Sequence, residues 1–257
     1  MKIAHISDLH FGSHDEAVFL ALMQHLKDAA PDLVIASGDL TQSATEAEFA
    51  QAQVFFRQLP MPVFAVPGNH DLPGMDLRRF FKPFKRYKTY IADDLEPGLA
   101  TPLVQIEGIN TARMILPHWN WANGAVSASQ CRRLARDFAA ATAPWRMLIM
   151  HHPIMSPKEF PLDVTVFHAD NLLKTIMAQK IDIVLAGHQH HAYIETRETD
   201  SHKTLFVSAS TAMSDRIRRQ PQGFNMLEFT PTSVRIDMLR YGYGRFDIFE
   251  ALSHSKP

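Results

Sequence analysis

The sequence predicts an α/β protein, a four-layer α/β/β/α sandwich with two mixed β-sheets. Three observations lead there. The first 70 residues alternate strand, helix, strand, helix, strand, the pattern of a parallel α/β unit. Two β-rich stretches, 87–116 and 192–249, supply strands for two sheets packed together with helices outside. Finally, five short apolar runs each end in Asp, Asn or His: 2–7 before Asp8 and His10, 33–37 before Gly38-Asp39, 63–66 before Gly68-Asn69-His70-Asp71, 147–150 before His151-His152, and 183–186 before Gly187-His188-Gln189-His190.

Taken in order, residues 2–7 read as a short buried strand. Over 15–30, apolar residues recur at Val18, Leu22 and Leu26 with Phe19 and Met23 alongside, a helical stripe that Pro31-Asp32 ends. Residues 33–37 form a second strand. Ser43-Ala44-Thr45-Glu46 has the form of a capping box and opens a helix to about Leu59, stopped by Pro60 and Pro62. Residues 63–66 are the third strand. Beyond Asp71 a helix is expected over 76–87. Antiparallel strands are expected at 87–91, 102–106 and 109–116, with Glu107-Gly108 as a two-residue turn. Ser127-Ala128-Ser129-Gln130 fits another capping box, for a helix to about Ala141 that Pro144 breaks. Residues 147–150 are a fourth buried strand, 152–168 a long loop with three prolines, 169–179 a helix and 183–186 a fifth strand. From Ala192 the pattern alternates as strands at 193–199, 205–209, 224–229 and 234–239, with Pro231-Thr232 as the last hairpin turn. Past Phe249 little pattern remains and a mobile tail is expected. The organisation is one domain over 1–250 with a short tail at 251–257.

At 257 residues and 46% hydrophobic, the chain has material for a sizeable core. Its net charge of −1 gives no whole-molecule pull toward nucleic acid or anionic lipid, so neither is an expected partner. Two basic runs, Arg78-Arg79-Lys82-Lys85-Arg86-Lys88 and Arg216-Arg218-Arg219, read most simply as solvated faces. The single cysteine, Cys131, excludes an intrachain disulfide and reads as an inert helical thiol. The N-terminus lacks the features of a secretory leader, and no apolar stretch approaches the roughly 20 residues that cross a bilayer. A cytoplasmic protein is expected, with a homodimer left open as its one protein assembly.

In open α/β sheets, ligands bind at the carboxyl ends of strands. The residues there are Asp8, His10, Asp39, Asn69, His151, His188 and His190: carboxylates, an amide oxygen and imidazoles. Such a set suits Mn, Fe, Co or Zn rather than Ca²⁺ or Mg²⁺, and without thiolates it is not a structural zinc site. Seven ligands exceed what one ion with open positions needs, but they fit two ions sharing a carboxylate. Asp8-x-His10 and His188-x-His190 each put two side chains on one side of an extended segment. Gly38, Gly68 and Gly187 precede ligands, where glycine permits a sharp departure and a close approach. His70, beside Asn69, is free for proton chemistry.

In order, Asp8-x-His10, Gly38-Asp39, Gly68-Asn69-His70-Asp71, His151-x-Pro153 and Gly187-His188-x-His190 resemble the five blocks of the calcineurin-like metallophosphoesterases, over residues 3–191. The opening His5-Ile6-Ser7-Asp8-Leu9-His10-Phe11-Gly12 is most similar to bacterial class III cyclic-nucleotide phosphodiesterases and their glycerophosphodiesterase relatives. The resemblance implies that Asp8, His10 and His190 hold a first ion, Asn69, His151 and His188 a second, and that Asp39 bridges them. It implies in-line attack by a hydroxide shared between the ions on a small phosphodiester, with a 3′,5′-cyclic nucleotide the first choice of substrate. His70 would face the phosphate and stabilise its charge or protonate the leaving alkoxide. Asp71 would orient His70 or a metal-bound imidazole. The family pattern puts the ligand two residues before Pro153, hence His151 rather than His152.

Other readings stand beside this one. His5 reads as a core residue and His191 as pointing away from the ligands. The same metal chemistry would serve a nuclease, which the near-neutral charge disfavours, or a nucleotide–lipid pyrophosphohydrolase, for which no lipid-facing insertion is evident. A non-catalytic scaffold would have lost a ligand or His70, and all are present. Two loops are candidates to shape the pocket. Residues 118–124 carry Trp119 and Trp121, which either stack on a base or pack on the domain. Residues 208–219 carry the three arginines, which either neutralise a phosphate or lie on a surface loop.

Overall fold

The computed structural model describes residues 1–74, 81–115, 120–161 and 165–256. In chain order the elements are β1 (Lys2–Ile6), α1 (Glu16–Ala29), β2 (Leu33–Ala36), α2 (Glu46–Gln58), β3 (Val63–Ala65), a 3₁₀ turn (Asn69–Asp71), α3 (Lys85–Tyr90), β4 (Gly98–Ala100), β5 (Val104–Gly108) and β6 (Gly124–Ala125). They continue as α4 (Ala128–Ala139), β7 (Trp145–Ile149), β8 (Val166–Phe167), α5 (Ala169–Ala178), β9 (Ile183–Ala186), β10 (Tyr193–Thr199), β11 (His202–Ser208), β12 (Gly223–Phe229), β13 (Ser233–Gly242) and β14 (Arg245–Ser255). One six-stranded sheet runs β14-β13-β12-β1-β2-β3 and the other β10-β11-β9-β7-β5-β4. Both are mixed: β1, β2 and β3 are parallel, while β12, β13 and β14 are antiparallel.

Side-chain alternation along these strands builds the layers. Ile3 and Ile35 point from the first sheet into a core shared with Ile106, Met147, Ile183 and Leu205 of the second. Their neighbours Ala4, Val34 and Ala36 face outward against Leu22, Leu26, Phe49 and Phe55 of α1 and α2. On the far side, Leu148, Val184 and Phe206 meet Leu134, Phe138, Leu172 and Ile176 of α4 and α5. Strands covered on both faces explain why 33–36 and 183–186 are continuous apolar runs. The result is the four-layer α/β/β/α sandwich, with the seven predicted ligands just past the strand ends.

Local chemistry sets the helix ends. Asp15 caps α1 by accepting from Ala17 N and Val18 N at 2.8 and 3.1 Å. The α2 capping box joins Thr45 and Glu48, two residues beyond the predicted start of the box. The α4 box joins Ser127 and Gln130 as expected.

Four expectations are corrected. Residues 87–91 are not a strand: Tyr87 and Tyr90, three apart, lie on one helical face and pack their rings on Phe49. Glu107-Gly108 is not a turn but the end of β5, paired with Leu148 and Ile149. Gly108 is there because a Cβ would come within 2.8 Å of Val66. The described part of 109–116 forms no strand. The expected tail is instead largely the second half of β14, which pairs with β13 as far as Ser255 and turns Leu252 onto the inter-sheet core. Its many exposed residues blurred the alternation. Residues 76–80 of the helix expected over 76–87, with the basic residues Arg78 and Arg79, lie outside the described residues. No described helix is long and apolar enough to cross a membrane.

Candidate metal centre

The centre is built from loops that leave parallel strands together. Past the ends of β1 and β2 the ladder continues, with Asp8 N donating to Gly38 O and His10 N to Asp39 O, both at 3.0 Å. Five of the predicted ligands sit in the left-handed backbone region: Asp8 (φ 52°), His10 (48°), Asp39 (51°), His188 (70°) and His190 (51°). Asp and His tolerate this region better than most residues. Asp8 and His10, like His188 and His190, therefore converge by tight left-handed turns and not by the period of an extended strand. The glycines divide as well. Gly38 has φ 96°, and a Cβ there would also lie 2.7 Å from His151 Nδ1. Gly68 and Gly187 are not in the left-handed region; they make room, since a Cβ would fall 2.2 Å from Asp39 Oδ1 at the first and 1.8 Å from Ser7 Oγ at the second.

Two groups of donors result. In one, His190 Nε2 lies 3.1 Å from Asp8 Oδ1 and 3.2 Å from His10 Nε2. In the other, His151 Nε2 lies 3.2 Å from Asp39 Oδ2 and 3.1 Å from His188 Nδ1. Asp39 Oδ2 is also 3.8 Å from His10 Nε2, so it stands between the groups. Its other oxygen accepts from His70 N at 2.8 Å. Asn69 Oδ1 and Asp8 Oδ1 are buried and accept no hydrogen bond among the described residues.

Hydrogen bonds fix which ring nitrogens face inward. His151 Nδ1 donates to Ser37 O at 2.8 Å and His190 Nδ1 to Arg216 O at 2.7 Å, which turns each Nε2 toward a carboxylate. A ring nitrogen and a carboxylate oxygen at such distances call for positive charge between them, supplied by a proton or by a cation. Burial depresses His10 and His188 to pKa values of about 3, the carboxylates only partly opposing it, so both stay neutral donors. Burial also disfavours a charged His151, yet Asp39 and Asp8 raise it to about 9. Burial acts to raise Asp8 and Asp39 too, but His190 and His151 respectively outweigh it and hold both carboxylates ionised. Imidazoles and carboxylates around a place that favours positive charge fit transition-metal cations, and the unpartnered Asn69 oxygen is a further donor of the same kind.

Asp71 does something other than expected. Its carboxylate accepts from Gly68 N, Thr41 N, Thr41 Oγ1 and Leu40 N at 2.9–3.3 Å, locking the loop after β3 to the loop after β2. His70 is oriented instead by the Gln42 carbonyl, to which Nδ1 donates at 2.7 Å, while its Nε2 accepts from Arg216 Nη1 at 3.1 Å. The His70 ring stands edge-on to His10, centroids 4.8 Å apart. His152 turns its Nδ1 to Thr111 Oγ1 at 2.7 Å and lies behind His151 and His188. His5 bonds Ser37 Oγ and Asn225 in the core, and His191 bonds Gln220.

Of the two candidate loops, His118 and Trp119 lie outside the described residues, and Trp121 is 40% exposed. The 208–219 loop enters the site through Arg216. Gln42 had no sequence signal beyond following Asp39 by three positions.

Sandwich and donor clusters together define a metal-dependent hydrolase of phosphoric esters. The calcineurin-like phosphoesterase family model matches residues 1–192, and the chain belongs to that family. It is 25% identical over 242 residues to a probable cyclic nucleotide phosphodiesterase of Synechococcus sp., covering 90% of this chain and 88% of the relative. It is 21% identical over 257 residues to a 3′,5′-cyclic-nucleotide phosphodiesterase of Nostoc sp., covering 89% of this chain and 87% of the relative. Among solved structures, a dimetal phosphatase from Danio rerio shares the fold at a TM-score of 0.73 and 10% identity, covering 100% of this chain and 99% of that one.

Proposed function

We propose that the protein is a binuclear metal-dependent phosphodiesterase acting on a small phosphodiester, with a 3′,5′-cyclic nucleotide as first choice. The observation that carries the binuclear reading is Asp39 Oδ2, set 3.2 Å from His151 Nε2 and 3.8 Å from His10 Nε2, a single carboxylate oxygen between two donor groups. Asp8, His10 and His190 would hold one cation, and Asn69, His151 and His188 the other, with Asp39 shared. Mn, Fe, Zn or Co suits these donors. When bound, the cations supply Lewis acidity toward phosphoryl oxygens and toward water.

The chain's own groups supply the rest. Gln42 O fixes the Nδ1–H of His70, so Nε2 is the atom turned to the site: when it carries a second proton, taken from water, it can meet the phosphoryl group or pass that proton to the leaving alkoxide. Asp71 keeps the two ligand-bearing loops in register. The choice of substrate is supported by the names of the two cyanobacterial relatives, each matched along most of its length. The net charge of −1 disfavours a nuclease.

The test is a substrate panel with metal-stripped and Mn²⁺-loaded protein: cyclic AMP, cyclic GMP, glycerophosphodiesters, DNA and a UDP-linked diphosphate. The expected result is hydrolysis of the cyclic nucleotides with kcat/KM at least tenfold above the rest, abolished by a chelator. Full activity after metal removal would refute the metal chemistry, and a preference for DNA or the diphosphate would refute the substrate.

A further inference from the structure

The loop after β11 serves the site twice. Its backbone is stitched to the loop after β1: Ala212 N donates to Ser7 O at 2.9 Å, Thr211 Oγ1 to Asp8 O at 2.6 Å, and Ser214 Oγ to Ser13 O at 2.9 Å. Ser214 Oγ in turn accepts from Arg216 N at 3.1 Å, and Arg216 O accepts from His190 Nδ1 at 2.7 Å. The main chain of Arg216 thus supports a ligand, and its Cα position is fixed from both sides.

The side chain goes elsewhere. Arg216 Nη1 reaches His70 Nε2 at 3.1 Å and Gln42 Oε1 at 3.3 Å, both neutral acceptors. Among the described residues it pairs with no carboxylate, and its Nε and Nη2 donate to nothing. A half-buried guanidinium without a carboxylate partner lacks a counter-charge, and its unpaired N–H groups are not buried and so can be reached by a ligand. An anion beside His70 would supply that counter-charge. The planar fork of Arg matches phosphate oxygens, and a charge-assisted bond of this kind is about twice as strong as a neutral one.

Resting on the phosphodiesterase reading above, we infer that Arg216 is a substrate-contacting residue of this site. Its guanidinium takes a non-bridging oxygen of the phosphoryl group on the side that His70 faces. Cations held by the donor clusters would take the phosphate from the strand ends; Arg216 takes it from the β11–β12 loop. Arg216 lies far outside the five blocks, 146 residues along the chain from His70.

The experiment uses the full chain loaded with Mn²⁺, unaltered and as Arg216→Ala and Arg216→Lys. The first measurement is binding of inorganic phosphate by calorimetry. Arg216→Ala should bind phosphate at least tenfold more weakly, and Arg216→Lys should fall between, while Mn²⁺ content and affinity stay within twofold. The second is kcat/KM on bis-p-nitrophenyl phosphate, expected to fall about a hundredfold in Arg216→Ala. Added guanidinium ion should restore part of that loss, which a purely structural role would not allow. Phosphate affinity unchanged in Arg216→Ala overturns the inference. So does a parallel loss of Mn²⁺, which would assign the residue to holding His190 alone. Unaltered protein that binds phosphate but hydrolyses no diester would refute the phosphodiesterase reading, and the phosphate comparison would still decide the role of Arg216.

Discussion

Gly187 offers the sharpest test of how the centre is packed. Its φ is unremarkable to a side chain, so Gly187→Ala should be harmless if glycine there only eased a turn. The structure requires otherwise. An added Cβ falls 1.8 Å from Ser7 Oγ and 2.5 Å from Asp8 Oδ2, where ordinary contact begins at 3.4 Å. Ser7 Oγ donates to Asp8 Oδ2 at 2.6 Å, and His188 N donates to the same oxygen at 2.8 Å. Swinging Ser7 away breaks a charge-assisted bond of about 1.5–3 kcal/mol. Pushing Asp8 aside adds overpacking of about 1–3 kcal/mol. A loss of about 2.5–6 kcal/mol follows, a large share of the ~5–15 kcal/mol that holds a typical domain together. Because Asp8 is a predicted ligand, Mn²⁺ affinity should fall about 10- to 100-fold as well. Urea unfolding midpoints and Mn²⁺ titration read the two effects. Gly74→Ala is the control, since a Cβ there meets nothing within 4 Å and should cost under ~0.5 kcal/mol. A Gly187→Ala protein matching Gly74→Ala in both measurements would refute the close-approach reasoning.

Asn69→Ala should lower bound Mn²⁺ by about one ion per chain, read by mass spectrometry of the loaded protein. Retention of the full complement would remove Asn69 from the ligand set. His70→Ala should keep the metal content and lower kcat on a diester by about 10²–10⁴-fold, and unchanged turnover would end its assigned role. His5, buried against Ser37 and Asn225, has its pKa lowered by burial from 6.5 to about 3. As pH falls through 6.5 the unfolded chain takes up a proton that the folded His5 refuses, so its stabilising share is complete above that pH and is lost toward 3. Between pH 7 and 5 this amounts to about 2 kcal/mol, so His5→Gln should lose about that much less stability than the unaltered protein over the interval. Equal losses, measured by urea unfolding at each pH, would contradict the assignment.

The residues that gather in the donor clusters were legible because each needs only local information: a short apolar run says strand, and a polar residue at its end marks a candidate site. The sandwich was legible for the same reason, from apolar runs such as 33–36 and 183–186 that must be covered on both faces. Where a residue's role depends on a distant partner, the chain says little. Arg216 reads as one of three loop arginines until β1, β11 and β12 bring it to His70. Asp71 lies in the most readable motif, yet its partners at Leu40 and Thr41 are 30 or more residues away and gave it a different task. At 87–91 and 245–255 the pattern itself was ambiguous. Tyr87 and Tyr90 satisfy a helical spacing within a stretch short enough to pass for a strand. β14 buries too little of itself to advertise its alternation.

The backbone of the centre explains why its residue types and its conformation are linked. Asp8, His10, Asp39, His188 and His190 all hold positive φ, at about 1–3 kcal/mol each for a side-chain-bearing residue. Such a concentration of strain persists only where neighbouring structure fixes it. Here Asp8 N and His10 N bond across to the β2 loop, His188 N bonds Asp8 Oδ2, and Thr211 bonds Asp8 O, so each strained residue is held by another loop of the same site. Left-handed geometry is what turns two side chains of a three-residue stretch into one cluster at a strand end. Asp and His are among the few residues that both tolerate that geometry and donate to metals. Glycine would relieve the strain but bring no donor, and a β-branched residue would add strain and bring no imidazole or carboxylate. The requirements of the loop and of the cation therefore select the same residues, and strand-end composition alone came close to specifying the centre.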